Sequence, residues 1–367
     1  MSRRRPSWKT AGRLAVCGLL LLWVSHAIFV KEGRQAYKLL NLDWDALGTA
    51  EQWRIAWTRG PAELWRVLCY IEPWALGTAF VLMGVTVLLG IIRWRMVLRV
   101  QGLALPFSRA AEISLVAHFF NSFMLGSSGG DLMKAYYAAR ETHHLKTEAV
   151  VTVFVDRLIG LFAMLLFGGL MMLPNLDLLF SHRRLAALSW FTLLMLAACA
   201  VLVWVAFWGG VSRRWPGAEA WLKKLPKAEH LRRSLDSCRA FGRHPGFLLR
   251  ALLVSMVLNA VCVLLVLALV KGLHLEISVT ALFAIVPIIS CISALPLAPS
   301  GLGVRENLFV WMLAVPEINI PATQALSLSL LAFAVSLVWS LLGGAVYLGY
   351  KETHHLREVA EAGPGAS

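Results

Sequence analysis

Apolar residues in this chain are gathered into long runs. Six of these can cross a bilayer: Leu14–Val30, Trp74–Ile92, Ala149–Leu173, Leu185–Trp208, Phe247–Val270 and Ala322–Tyr350. A spanning helix takes about 20 residues, so each run predicts one crossing. Two further apolar stretches are interrupted. Residues 103–140 read as helix, break, helix around Gly126-Ser127-Ser128-Gly129-Gly130, and residues 276–315 do the same around Pro296-Leu297-Ala298-Pro299-Ser300-Gly301-Leu302-Gly303. Glycine and proline clusters at membrane depth survive only where backbone is buried in protein or lines a wet cavity. The pattern predicts an all-α polytopic membrane protein of about six full spans and two broken hairpins.

Composition supports this. Of the 367 residues 58% are hydrophobic and 15% charged, with a mean hydropathy of +0.67. Soluble domains carry about 25% charged residues, so a soluble domain, a disordered chain and a fibre are all excluded. The net charge of +14 is unevenly placed. Residues 1–13 hold five basic groups and no acid, residues 209–246 hold nine basic groups and three acids, and residues 31–73 hold six of each. A basic excess marks cytoplasmic segments, which predicts a cytoplasmic N-terminus and 209–246 loop, with 31–73 outside. Basic loops beside apolar spans give no reason to expect a nucleic-acid partner. Trp44, Trp53, Trp57 and Trp65 predict that 31–73 lies as an interfacial helix, or else serves as a subunit contact. The six cysteines form no CxxC pair and imply no disulfide framework. The N-terminal basic segment and apolar run also resemble a signal peptide; an uncleaved first span is the expectation, because many more helices follow.

Topology then fixes the hairpins. Arg93, Arg95, Arg99 and Arg109 place the end of the second span inside, so 103–140 leaves the cytoplasm and returns to it, while 276–315 dips in from the opposite face. From Trp74 to Ser128 is 54 residues and from Phe247 to Ser300 is 53; from Ser128 to Ala149 is 21 and from Ser300 to Ala322 is 22. Two units of span, re-entrant hairpin and span (about 74–173 and 247–350) predict an inverted repeat, an architecture in which transporters bind substrate at the broken helices. The competing reading is coincidence among helices of standard length, and Ile277–Pro299 could instead span outright. A shorter repeat, Glu141-Thr-His-His-Leu-Lys146 and Glu352-Thr-His-His-Leu-Arg357, is out of register and has no metal-ligand spacing. It reads as solvated membrane-edge sequence.

Ionisable residues inside apolar runs are costly and mark pathways. Asp156 and Arg157 lie well inside Ala149–Leu173, Asp131 and Lys134 follow the first glycine break, and Arg305 and Glu306 follow the second. Each break opens a helix whose free N–H groups lie near a basic side chain, an arrangement that binds anions. The alternative is an intramembrane ion pair that only locks the hairpins together.

These residues resemble a known family. Arg93-Trp94, Phe119-Phe120-Asn121 leading into Gly129-Gly130-Asp131, the arginine of Val153-Phe-Val-Asp-Arg157 and above all Pro299-Ser-Gly-Leu-Gly-Val-Arg-Glu306 are similar, in order and spacing, to the lysylphosphatidylglycerol synthase transmembrane region, the flippase-like integral membrane proteins. Ser300 stands where that family often has glycine. The resemblance implies a flippase-like transmembrane domain over 14–350 that moves or presents a lipid across the inner membrane. The lipid is expected to carry a phosphate or other anionic headgroup. Asn121, Gly129, Gly130, Asp131, Lys134, Arg157, Pro299, Gly301, Gly303, Arg305 and Glu306 are then the candidate substrate-binding residues. With only the tail 351–367 after the last span, no synthase domain is expected. Asp131, His118 and His143 lack a catalytic partner at any recognised spacing, so no enzyme and no cofactor is expected, and no GxxxxGK[ST] motif offers ATP. The rival reading is a non-transporting scaffold for a lipid or glycan-lipid biosynthetic enzyme, with such an enzyme or a second copy of the chain as partner.

Overall fold

A computed structural model describes residues 46–123, 129–141, 145–207, 241–295 and 303–349, with Cys238, Arg239 and scattered positions between 26 and 44. Most of the first apolar run, His143, Pro299, Gly301, most of the basic loop and the tail lie outside the described residues.

The described chain is helical. In order, the helices are α1 (Thr49–Tyr70), α2 (Pro73–Val100), α3 (Phe107–Phe123), α4 (Gly129–Glu141), α5 (Lys146–Met172), α6 (Leu176–Ser181), α7 (Arg183–Phe207), α8 (Pro245–Gly272), α9 (Val279–Ser293), α10 (Val304–Leu313) and α11 (Ala322–Gly349). Prolines at the first turns of α2 and α8 start them where no N–H partner is missed. Ser278 caps α9, its Oγ accepting the amide of Ala281 at 3.2 Å. Among the described residues five helices are long and apolar enough to cross a membrane: α2, α5 continued by α6, α7, α8 and α11. They coincide with five of the six apolar runs. The interrupted stretches become the helix pairs α3–α4 and α9–α10.

Two ends of the bundle can be told apart by their bonds. At one, the Glu72 amide donates to the Gly272 carbonyl at 3.1 Å and the Glu72 carboxylate meets His274 at 3.4 Å. Asn175 donates to the Thr280 carbonyl at 3.1 Å, and His182 pairs with Glu317 at 2.6 Å. Thr280 opens α9 and Glu317 follows α10, so the α9–α10 pair starts and finishes within reach of one short connection, residues 175–182. Glu317 is exposed, and its carboxyl is held below the usual range first by its own backbone amide and then by His182. A lowered value means that this link contributes above the usual carboxylate range and weakens as pH falls through the shifted one.

Close crossings carry the packing. An added Cβ on Gly272 of α8 would come 2.2 Å from Ala75 on α2, and one on Gly343 of α11 would come 2.1 Å from the Leu115 carbonyl oxygen on α3. Small residues at such crossings let backbones approach where no water drives association. Gly343→Ala is therefore expected to lower stability by about 1–3 kcal/mol, read as a lower thermal midpoint in detergent. Gly77→Ala, where nothing lies within 4 Å, should leave the midpoint unchanged or higher.

Within 31–73, the segment read as interfacial, the tryptophans differ in exposure. Trp53 and Trp57 are exposed, and the Trp57 indole donates to His26 Nδ1 at 3.0 Å. Trp44 is instead buried, stacked edge-on to Tyr37 against Gly33, whose missing side chain leaves it room.

Candidate functional site

Helices α2, α3, α4, α5 and α8 line a cavity of about 430 Å³. Its charged wall is built around Asp156, ten residues into α5 and so roughly 15 Å along the helix from Lys146. Arg93 Nε of α2 donates to Asp156 Oδ1 at 2.7 Å, and Lys134 Nζ of α4 donates to Oδ2 at 3.0 Å. Arg93 also reaches Ser255 Oγ of α8 at 3.2 Å, and Lys134 sits 4.3 Å above the Trp94 ring. One carboxylate thus ties three helices together, with a fourth joined through Arg93. These side chains are about nine-tenths buried. Charges at such depth persist only when paired.

The neighbouring pair is different. Arg157 Nε lies 3.7 Å from Asp131 Oδ2, beyond ordinary hydrogen-bond length, and both side chains are about one-third exposed. Asp131 sits in the first turn of α4, where the helix N-terminus favours an anion. The start of that helix is closed from α3: the Gly130 amide donates to Asn121 Oδ1 at 2.8 Å. Glycine is needed there, because a Cβ on Gly130 would lie 2.0 Å from the Ala117 carbonyl oxygen. Among the described lining residues three cationic groups, Arg93, Lys134 and Arg157, face two carboxylates, Asp131 and Asp156. The wall carries a net positive charge. Beside it, His118 Nε2 and Ser114 Oγ have no partner among the described residues.

The second break has the same parts in a closed arrangement. Gly303 takes φ +90°, a conformation that favours glycine, and turns the chain so that the Glu306 carboxylate folds back onto its amide. The other Glu306 oxygen accepts from Arg305 at 2.9 Å, Arg305 also reaches Ser329 Oγ at 3.2 Å, and its guanidinium lies 5.0 Å from the Phe333 ring centroid. Glu306 is fully buried. The carboxylate fills the N-terminus of α10 from within the chain. Neither Arg305 nor Glu306 lines the cavity, so the structure brings Asn121, Asp131, Lys134 and Arg157 to one wall and holds Arg305 and Glu306 in a separate cluster. Gly129 and Gly130 are buried at the start of α4.

Residues 46–344 match the family described as lysylphosphatidylglycerol synthase TM region. The chain belongs to that family. The match covers every helix that lines the cavity. Among the curated proteins no match was found. The sequence points to Arg157 as substrate-binding with Asp156 as an adjacent buried charge, and to Arg93 as a topology marker and part of the Arg93-Trp94 motif. The structure separates the first two and makes Arg93 a partner of Asp156. The available signal was length: α2 runs seven residues beyond Arg93, to Val100, which leaves the arginine inside the helix.

Proposed function

We propose that the protein moves or presents a phosphate-bearing lipid across the cytoplasmic membrane, without catalysing a covalent step. The observation that carries this reading is the contrast between two ion pairs in one cavity. Asp156 is saturated by two cations and sealed, whereas Arg157 and Asp131 meet at long range in the open part. A headgroup phosphate would replace Asp131 beside Arg157 at the N-terminus of α4, where the planar guanidinium and the positive end of the helix dipole both suit it. Displaced Asp131 would return when the lipid leaves, keeping the empty site compensated.

The orientation belongs to the same reading. The end of the bundle with Arg95, Arg99, Arg109 and Arg243 faces the cytoplasm by the positive-inside rule, and the end with Glu72, His274 and Glu317 faces outward. The α9–α10 pair then enters from outside and returns there, and α3–α4 does the converse, which supports the hairpin and inverted-repeat architecture. In right-side-out vesicles, a cysteine placed at Glu317 or His182 should be labelled by an impermeant maleimide, and one placed at Arg243 only after lysis. Labelling of all three from one side would overturn the orientation.

The activity is tested in proteoliposomes carrying a fluorescent phosphatidylglycerol in both leaflets. An impermeant quencher should bleach the whole signal at a rate that rises with protein content. Bleaching that stops at half, as in protein-free vesicles, would exclude translocation of that lipid.

A further inference from the structure

The cavity is polar at one end and apolar at the other, and the apolar end is not explained by a headgroup. Arg93 and Asp156 lie roughly 10–15 Å along their helices from the basic end of the bundle. Beyond them, at roughly 20–27 Å, the walls are formed by Met83 and Val87 of α2, Leu161 and Met164 of α5, and Leu258 and Cys262 of α8. Thr86 and Asn259 also line the space at that level, and each gives a hydrogen bond to its own helix: Thr86 Oγ1 donates to the Met83 carbonyl at 2.7 Å, and Asn259 Nδ2 to the Ser255 carbonyl at 2.8 Å. What remains is a hydrocarbon surface with two methionines, which adapt to an irregular chain.

We propose that this apolar end is a subsite for one hydrocarbon chain of the lipid whose phosphate sits at Arg157. The proposal rests on the reading above. It commits to that occupant because the two ends are one continuous space, so a bound phosphate directs whatever is esterified to it toward Met83 and Met164. The volume suits a single chain. At 430 Å³ the cavity equals roughly fourteen water volumes, room for a headgroup and the first methylenes of one chain. Any second chain stays in the bilayer. The subsite thereby fixes the lipid with its head toward the basic end and its chain toward the centre of the bundle.

Two soluble probes test this on the full chain in nanodiscs, with empty nanodiscs as the blank: glycerol 3-phosphate, and the same molecule carrying one six-carbon acyl chain. Each methylene withdrawn from water is worth roughly fourfold in affinity, so the acylated probe is expected to bind at least about tenfold more tightly. Leu258→Trp and Met164→Trp each fill the apolar end, and each should reduce that gain below about twofold while glycerol 3-phosphate binds as before. A variant that loses glycerol 3-phosphate as well has lost the cavity, and the other then decides. Retention of the full gain in a variant that still binds glycerol 3-phosphate overturns the chain subsite and leaves the headgroup reading standing. Failure of the wild-type chain to bind either probe overturns the headgroup reading, and the subsite with it.

Discussion

Arg157→Gln should slow lipid movement in proteoliposomes by about 10- to 100-fold while the thermal midpoint stays close to wild type. The kinetic loss follows from the charge-assisted contact, since a hydrogen bond between an ionised donor and a phosphate contributes about 1.5–3 kcal/mol. The pairing with Asp131 in particular contributes little to stability. Arg157 and Asp131 lie 3.7 Å apart and about one-third exposed, and pairs of that kind contribute about 0–1 kcal/mol. Arg157→Lys should recover part of the rate, because an ammonium keeps the charge but loses the two-pronged phosphate contact. Asp131→Asn should bind phosphate more tightly and release it more slowly. If Arg157→Gln and Arg157→Lys both move lipid at the wild-type rate, the pair is a structural lock and the phosphate is not held at Arg157.

Asp156→Asn should do the reverse. It removes the carboxylate shared by Arg93 and Lys134, leaving two buried cations without their counter-charge, and breaking a buried pair in this way costs about 3–5 kcal/mol. The expected result is a large fall in folded yield and thermal midpoint, whatever becomes of lipid movement in the surviving fraction. Adding Lys134→Met to Asp156→Asn should restore a measurable part of the stability, because one stranded cation is replaced by apolar volume. A double variant as unstable as the single one would show that Lys134 stays solvated and that the charge balance around Asp156 is set elsewhere.

These paired expectations also show what the sequence made legible. Long apolar runs give spanning helices almost without ambiguity, since a bilayer demands length and hydrophobicity together, and α2, α5, α7, α8 and α11 sit where those runs are. The breaks were equally plain, because Gly129-Gly130 and Gly303 are residues that an uninterrupted apolar helix would not favour. Partner choice was not legible. Asp156 and Arg157 are adjacent in sequence and therefore point to different faces of α5. Which face meets Arg93 and which meets Asp131 depends on how α5 is rotated against α2 and α4. Arg305 and Glu306 are also adjacent and yet pair with each other, because the positive φ of Gly303 turns the helix start and folds Glu306 back. The return of Glu306 onto the Gly303 amide follows capping-box spacing, but the pairing with Arg305 does not. Trp44 shows the same limit: a tryptophan in a mixed-charge segment reads as interfacial, and only the space beside Gly33 reveals that it is buried.

The Asp156 hub has a further consequence, for the order in which the protein is made. Arg93 and Asp156 are 63 residues apart. At about 5–20 residues per second of synthesis, the arginine is in place roughly 3–13 s before its carboxylate exists. During that interval α2 must lie in lipid with an uncompensated guanidinium, at about 2.5–3.5 kcal/mol if held at the bilayer centre. Its position relieves the cost: seven residues, or roughly 10 Å, separate Arg93 from the basic end of α2, within reach of an extended side chain. Nascent α2 can therefore hold its arginine among the headgroups and draw it inward only when α5 arrives with Asp156. The last-made partner closes the cluster, so the charged wall of the cavity forms as a late step of assembly and reports that α2, α4 and α5 have all been inserted.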